Sequence, residues 1–394
     1  MRLSLACSAG NLAGWISRIA GRGRGETLRG RVILAVDPKA LIKLSNVREI
    51  VLVSGTNGKT TTTSHLVRIL ESGTGEQVST SKYGANMMAG IATALAQLPR
   101  NRLVVLECDE LYLPAMAKVL HPKVVVLLNL SRDQLHRTGE VRKVANLWRD
   151  YFVTDDVTLV IDRDDPFLEY AAENAGHVLR VSFGGRRHPD AATCPKCARL
   201  LDWSGSDYLC SCGLGSELAQ VRGDQRLRGP ARNSVLAIEA ARLMGAVVPV
   251  ALATELTENA PDRISNFEVA GKSIDTRLAK NPESWREALA QVKSDCVILA
   301  VNARGIDGRD TSWLWDVDYS ALLGKRVICT GDRRLDVAYR VKVQGVAQVK
   351  TAETFEASMT QVGDAAVEGI ASYTAFQELA AAQLGIHARQ GGRL

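Results

Sequence analysis

The sequence predicts an α/β protein of two units, the first a phosphate-binding parallel sheet with a four-cysteine insertion. Three observations carry this expectation. Apolar runs alternate with helical patterns from 47 to about 185, the arrangement that gives a mostly parallel sheet covered by helices. The first of these runs, Ile50–Val53, breaks into Gly55-Thr56-Asn57-Gly58-Lys59-Thr60-Thr61 and then into a helical pattern through His65, Leu66, Ile69 and Leu70. Finally, Cys194, Cys197, Cys210 and Cys212 cluster within 190–216, where the α/β pattern stops.

The glycine loop is a phosphate cradle by its chemistry. Gly55 and Gly58 let the backbone turn sharply and bring N–H groups close to phosphate oxygens. A helix N-terminus adds a favourable dipole. Lys59 supplies a point charge for the β/γ phosphates, and the Thr60 hydroxyl can ligate Mg²⁺. The spacing G-x-x-G-K-T is shorter than the general G-x-x-x-x-G-K-[ST], with Val53 where the further glycine would stand.

Composition bounds the function classes. At 394 residues the chain is long enough for two or three domains. With 46% hydrophobic and 23% charged residues it reads as globular, not disordered. A net charge of +6 with few interleaved aromatics predicts no nucleic-acid partner, whereas an acidic substrate or an anionic membrane surface fits. No apolar run reaches the ~20 residues of a membrane span. Residues 1–20 show helical amphipathicity (Leu12, Trp15, Ile16, Ile19) but no continuous apolar core and no cleavage site, so a signal peptide is not expected. The chain is expected in the cytoplasm. Cys7, Cys108, Cys296 and Cys329 are scattered, three of them in or beside apolar runs, as buried small hydrophobes are.

In chain order, 1–46 is a basic lead. It holds Gly21-Arg22-Gly23-Arg24-Gly25, read as a surface loop, then Val32–Val36 and a short helix near Leu41. A central domain follows over 47–262, with strands expected at Ile50–Ser54, Leu103–Glu107, Val124–Asn129, Val157–Asp162 and Leu179–Phe183. Ligands of such sheets sit at the carboxyl ends of strands, where Glu107, Cys108, Asp109 and Glu110 follow one strand and Asn129, Ser131, Arg132 and Asp133 the next. Glu107 would stand beside the glycine loop and can hold Mg²⁺ directly or through water. Asp133, Gln134, His136 and Arg137 form a polar helix start with functional promise. Asp164-Asp165-Pro166 reads as a turn and helix start, and Arg232-Asn233 as a pair that can reach a nucleotide.

The cysteines read C-x-x-C, twelve residues, C-x-C. Two close pairs separated by a short hairpin make a tetrahedral Cys₄ zinc site, structural because all four positions are protein ligands. From 263 to 394 a second α/β unit is expected, with strands at Val297–Val301, Arg326–Thr330 and Gly369–Ser372 and helices at Trp285–Lys293 and Tyr373–Leu384. Two of its loops stand out. One is Ala279-Lys280-Asn281-Pro282. The other runs from Asn302 to Asp318, follows a strand, and carries Asp307, Asp310 and Asp316 beside Trp313 and Trp315.

Gly55-Thr56-Asn57-Gly58-Lys59-Thr60-Thr61 resembles the ATP loop of the Mur ligase superfamily. Glu107, the Asn129–Asp133 segment and Asp164-Asp165-Pro166 resemble that pattern too. Within the superfamily, the Cys₄ insertion, Asn281-Pro282 and the Asp-Gly-Arg-Asp-x-Ser-Trp-x-Trp-Asp stretch resemble the MurT family, synthetase subunits of lipid II isoglutaminyl synthase. So does the start of the ATP loop only about fifty residues in, which implies that the usual N-terminal nucleotide-sugar domain is missing. The resemblance implies a Mur ligase-like central domain with a zinc-ribbon insertion and a C-terminal α/β domain of Mur ligase type. It implies ATP and Mg²⁺ held by Gly55 to Thr61, Thr60, Glu107 and Asn281, and Zn²⁺ held by Cys194, Cys197, Cys210 and Cys212. The implied reaction activates the α-carboxyl of D-glutamate in the lipid II stem peptide as an acyl phosphate, and ammonia converts it to D-isoglutamine. Ammonia would come from a GatD-type glutaminase in a heterodimer, and lipid II would bring the chain to the inner face of the cell membrane. An aspartate of the C-terminal domain would complete the partner's Cys-His pair. Among Asp307, Asp310 and Asp316, the two that flank the tryptophans, Asp310 and Asp316, are favoured.

The sequence departs from the superfamily at Gln134, where a His is usual, at His136, where an Asp is usual, and at Arg232-Asn233, which replaces an aromatic-Asn or His-Asn pair. The rival readings are a stand-alone Mur-like or folylpolyglutamate synthase-like ligase, and a zinc-ribbon nucleotide switch without ligase activity.

Overall fold

A computed structural model of the chain describes residues 2–19, 25–81, 86–133, 139–153, 156–184, 187–204, 207–258, 264–304, 310–363 and 365–383. The chain divides into two compact units, Met1–Ser131 with Glu140–Ala260, and Arg132–Gly139 with Pro261–Leu394. Among the described residues no helix is long and apolar enough to cross a membrane.

The first unit opens with three helices, α1 (Arg2–Ile19), α2 (Glu26–Val36) and α3 (Ala40–Ser45). The helical pattern of the first twenty residues is thus realised, while Gly21 to Arg24 lie outside the described residues. Then come β1 (Glu49–Ser54), α4 (Lys59–Thr74), β2 (Val78–Thr80), α5 (Met88–Gln97), β3 (Leu103–Glu107), α6 (Leu113–Leu120) and β4 (Val124–Leu127). The sheet continues through α7 (Val141–Phe152), β5 (Thr158–Asp162), α8 (Pro166–Ala172) and β6 (His177–Ser182). A hairpin, β7 (Asp202–Ser204) and β8 (Asp207–Leu209), stands apart before β9 (Val221–Arg222), α9 (Gly229–Leu243) and α10 (Val250–Glu258).

The seven-stranded sheet has the order β2-β3-β1-β4-β5-β6-β9 and every pairing is parallel. Its central strands are apolar on both faces because both faces are covered. Leu52, Leu106, Leu127 and Ile161 point into one core with Ile91, Met116 and Trp148. Val51, Val53, Val105, Val126 and Val160 point into the other, with Leu66, Ile69 and Leu70 of α4 and Leu236 and Ala240 of α9. Trp148 and Phe152 of α7 are fully buried, each worth about 2–3 kcal/mol of apolar transfer. The chain leaves β1 toward β2 and leaves β4 toward β5, so the order reverses between β1 and β4. That crevice is where ligands of open α/β sheets bind.

The second unit contains β10 (Ile264–Val269), β11 (Lys272–Leu278), α11 (Pro282–Ala290), β12 (Cys296–Ala300), β13 (Arg326–Thr330), α12 (Arg334–Val343), β14 (Gln348–Thr351), α13 (Phe355–Thr360), β15 (Val367–Ala371) and α14 (Tyr373–Gln383). Its sheet runs β10-β11-β15-β12-β13-β14. Only β10 with β11 is antiparallel. The expected α/β class holds in both units. β2, β9, β10, β11 and β14 were not expected from sequence. β2 and β9 are only three and two residues long, and β10, β11 and β14 mix polar with apolar residues.

Candidate active site and metal centre

The loop after β1 has the backbone its glycines allow. Gly55 has φ 138° and Gly58 φ 88°, values in the region that disfavours side chains. A Cβ on Gly58 would lie 2.1 Å from Nδ2 of Asn233, so Asn233 is seated directly against the loop. The loop is also stitched to the chain after β4, across the switch point. Asn57 N–H donates to Asn129 Oδ1 at 2.9 Å, and Asn129 Nδ2 donates back to the Asn57 carbonyl at 3.0 Å. Thr56 N–H donates to the Asn129 carbonyl at 2.9 Å, and Ser131 N–H to Thr56 Oγ1 at 3.0 Å.

Lys59 opens α4. Its Nζ donates to the Gly55 carbonyl at 2.6 Å and pairs with Glu110 at 3.3 Å. Thr60 Oγ1 donates to Glu107 Oε2 at 2.9 Å, and Glu107 is only 3% exposed at the end of β3. A hydroxyl and a buried carboxylate held this close are the hard oxygen donors that Mg²⁺ takes, usually with waters and phosphate oxygens completing its shell. The residues present therefore fit a Mg-nucleotide. Between Glu107 and Asp109, burial pushes the Cys108 thiol well above its usual range, which makes it a poor nucleophile. Cys329 of β13 is likewise pushed up by burial, to about 12.

Arg232, expected to face a nucleotide, turns inward. Its guanidinium donates to both oxygens of Asp162 at 2.7–3.0 Å and to Asp164 at 2.9 Å. It lies 4.4 Å over the Phe183 ring. Burial opposes its charge, but the two carboxylates outweigh this, and the Arg232 proton is held more firmly than usual. Asp164 also accepts from Ser182 Oγ and from the N–H groups of Phe183 and Gly184. Asp165 caps α8, with Pro166 at its first position, and accepts from Leu130 N–H at 2.8 Å. The Asp164-Asp165 pair thus braces the sheet end beside the Asn129 segment.

The four cysteines converge. Their Sγ atoms all lie within 4.8 Å of one another, with Cys194 to Cys212 at 3.6 Å and Cys197 to Cys210 at 3.4 Å. Four thiolates at a zinc-sulfur length of about 2.3 Å in a tetrahedron stand about 3.8 Å apart. The donor set and spacing fit a zinc ion. Arg163, at the end of β5, ties this ribbon down, and nothing in the sequence marks it. It donates to the carbonyls of Gly215 and Glu217 at 2.6 and 2.7 Å and to Asp207 at 2.7 Å. Tyr208 Oη donates to the Arg163 carbonyl at 3.1 Å.

In the second unit Asn281, expected at the nucleotide, is the N-cap of α11 and is 1% exposed. Its Oδ1 accepts from Ser284 N–H at 3.0 Å, and Ser284 Oγ accepts from Asn281 N–H at 3.1 Å. Lys280 Nζ pairs with Asp133 at 3.0 Å. Lys280, Asn302, Thr311, Trp313, Ser372, Tyr373 and Thr374 line a small pocket. Asp310 accepts from Ser312 N–H at 2.9 Å. Asp316 pairs with Arg132 at 2.9 Å, and each of those two side chains is about one-third exposed. Gln134, His136, Arg137 and Asp307 lie outside the described residues.

Comparison with known proteins agrees with this geometry. Residues 53–196 match the Mur ligase middle domain, and residues 278–376 match the MurT ligase C-terminal domain. The chain is 29% identical to the lipid II isoglutaminyl synthase (glutamine-hydrolyzing) subunit MurT of Staphylococcus aureus strain N315, over 88% of this chain and 89% of that protein. It is 28% identical to the subunit of that name from Streptococcus pneumoniae strain ATCC BAA-255 / R6, over 89% and 90%. The MurF ligase of Thermotoga maritima, solved in complex with ADP, shares the fold with TM-score 0.59 and 16% identity over 89% of this chain and 82% of that one. The chain thus carries a Mur ligase middle domain and a MurT-type C-terminal domain, and it is similar to the MurT subunits along most of its length.

Proposed function

We propose that this chain is an ATP-dependent carbon-nitrogen ligase, the synthetase subunit that amidates the α-carboxyl of D-glutamate in the lipid II stem peptide. The observation that carries the reading is a Mur-type phosphate loop and a MurT-type C-terminal domain in one chain. The carboxylate oxygen attacks the γ-phosphorus of ATP, the bond to the β-γ bridging oxygen breaks, and ADP leaves. Ammonia then adds to the acyl phosphate carbon, phosphate leaves, and one proton is released. Lys59 exchanges its Gly55 and Glu110 contacts for phosphate oxygens and offsets the charge that moves during transfer. Thr60 and Glu107 hold Mg²⁺, which supplies further charge neutralisation. Asn129 and Asn233 fix the loop. The Cys₄ ribbon holds zinc as a structural ion.

Ammonia comes from a separate glutaminase of the GatD type. Cys108 and Cys329 are buried, and burial keeps both thiols protonated, so neither serves as the glutaminase nucleophile. The second unit offers a face for such a partner. Trp315 packs on Tyr339 and under Arg340, and Leu335, Tyr339 and Val343 stand exposed at fourth-residue spacing along α12. Asp316, beside Trp315, or Asp310 orients the partner's histidine in this reading.

The test is an amidation assay with the purified chain, its co-expressed glutaminase, lipid II, Mg-ATP and glutamine, read by mass spectrometry. A one-dalton loss that needs both chains is expected. ATP consumed with a free amino acid but never with the glutaminase and lipid II would overturn the reading for a stand-alone ligase.

A further inference from the structure

The exposed face of α1 is not used by the chemistry above. Leu5, Leu12, Trp15, Ile16 and Ile19 are each more than half exposed. At about 100° per residue they fall within an arc of roughly 100° on one side of the helix. The opposite side carries Ala6, Gly10, Gly14 and Ser17, all buried. This small-residue side packs closely on α2: a Cβ on Gly10 would stand 2.6 Å from Ile33. The helix therefore hides its small residues and shows water its large apolar ones, the reverse of an ordinary surface helix.

Charge goes with this face. Arg2 and Arg18 stand on its two flanks, and Arg2 is held in place by donating Nε to the Val36 carbonyl at 2.9 Å. Residues 1–48 hold nine Arg and Lys against two acids, so the segment's excess is larger than the +6 of the whole chain and the remainder is slightly negative. Setting aside the Asp37–Lys43 pair and the buried Arg29 leaves seven basic residues against Glu26.

We infer that α1 lies flat on an anionic lipid surface, with Leu5, Leu12, Trp15, Ile16 and Ile19 sunk among the acyl chains and the arginines at the headgroups. A helix of this kind binds by buried apolar area plus attraction to acidic lipids, and tryptophan favours that interface. The α12 face, itself basic, differs in that its tryptophan is already covered: Trp315 there is packed on Tyr339 and Arg340. The inference draws on the proposed lipid-linked substrate only for its usefulness, because a membrane-bound enzyme meets such a substrate in two dimensions.

The experiment is co-sedimentation of the full chain with vesicles of phosphatidylcholine alone, or of phosphatidylcholine and phosphatidylglycerol in roughly equal parts, without lipid II. The wild type should sediment with the anionic vesicles and release as salt rises. The triple variant Leu12→Gln/Trp15→Gln/Ile16→Gln should bind about tenfold more weakly, and Arg18→Glu several-fold more weakly. All four positions are exposed, so thermal melting should be unchanged, and Arg18→Glu stands as the second test if the triple variant misfolds. Wild type that stays in the supernatant, or a triple variant that sediments equally, overturns the inference. A concentration-dependent dimer that the triple variant abolishes, with no vesicle binding, overturns it in favour of a second copy. Because no lipid II is present, failure here leaves the amidation reading standing, and failure of amidation leaves vesicle binding standing.

Discussion

Two strand-end loops hold the residues proposed for the chemistry of this chain, and they are built differently. The loop after β1 is set by its backbone. Gly55 and Gly58 hold positive φ angles, Asn57 and Asn129 exchange two hydrogen bonds, and Lys59 already pairs with Glu110 and Thr60 with Glu107. The loop after β12 is set at its ends. Asn302 is held by Ser372, Glu378 and Asp332, and Trp313 packs 5.9 Å from Trp285. Among the described residues between them, Asp310 accepts from Ser312 N–H and Asp316 pairs with Arg132, both partners of that pair about one-third exposed. A site whose ligand is a constant polyphosphate tolerates a rigid cradle. The role proposed for the second loop, completing another protein's machinery, needs a carboxylate in the open.

The comparison breaks first at Lys59. Lys59→Ala should lower ATP-dependent amidation about a thousandfold while the melting temperature changes little. A rate near wild type would remove the phosphate loop from the reaction. The second unit sharpens next. Asp316→Asn should reduce glutamine-driven amidation by up to about ten-thousandfold and leave the rate with added ammonia unchanged, with Asp310→Asn close to wild type. The opposite ranking assigns the role to Asp310, and equal loss with ammonia places the residue in the synthetase site.

The smallest effect lies behind the phosphate loop. His65 of α4 is buried against Ser234 Oγ at 2.9 Å, and burial lowers its pKa below the usual 6.5. Below about pH 6.5 the unfolded chain takes up a proton that the folded chain refuses. Stability should therefore fall as pH drops from 6.5 through the lowered folded value. His65→Gln should show a shallower fall in melting temperature over that window. An identical slope would mean that other groups set it.

Legibility follows the same division. Ile50–Ser54, Leu103–Glu107 and Arg326–Thr330 are readable because a strand covered on both faces must be apolar throughout. The glycine-lysine loop is readable because few residues tolerate its angles. β9 and β14 are not readable, since an edge strand of two or four residues buries too little to leave a pattern. Arg163 and the Asn57–Asn129 exchange are invisible for another reason: their partners lie 44 to 72 residues away and are chosen by the fold. Arg232 reads as a ligand contact and proves to be a brace because its two aspartates arrive from β5 and its following turn. Asn281 reads as a cofactor contact, and its capping of α11 through Ser284 is a second role that the sequence alone does not reveal.

The cover on α4 has a consequence for how the chain is made. Leu66, Ile69 and Leu70 pack on Leu236, Ala237 and Ala240 of α9, about 170 residues further along. During synthesis, at roughly 5–20 residues per second, the nucleotide-binding helix waits many seconds for its lid. A ribosome that stalls in the cysteine ribbon holds a nascent chain whose apolar α4 face is bare, a target for chaperones that a finished chain no longer offers.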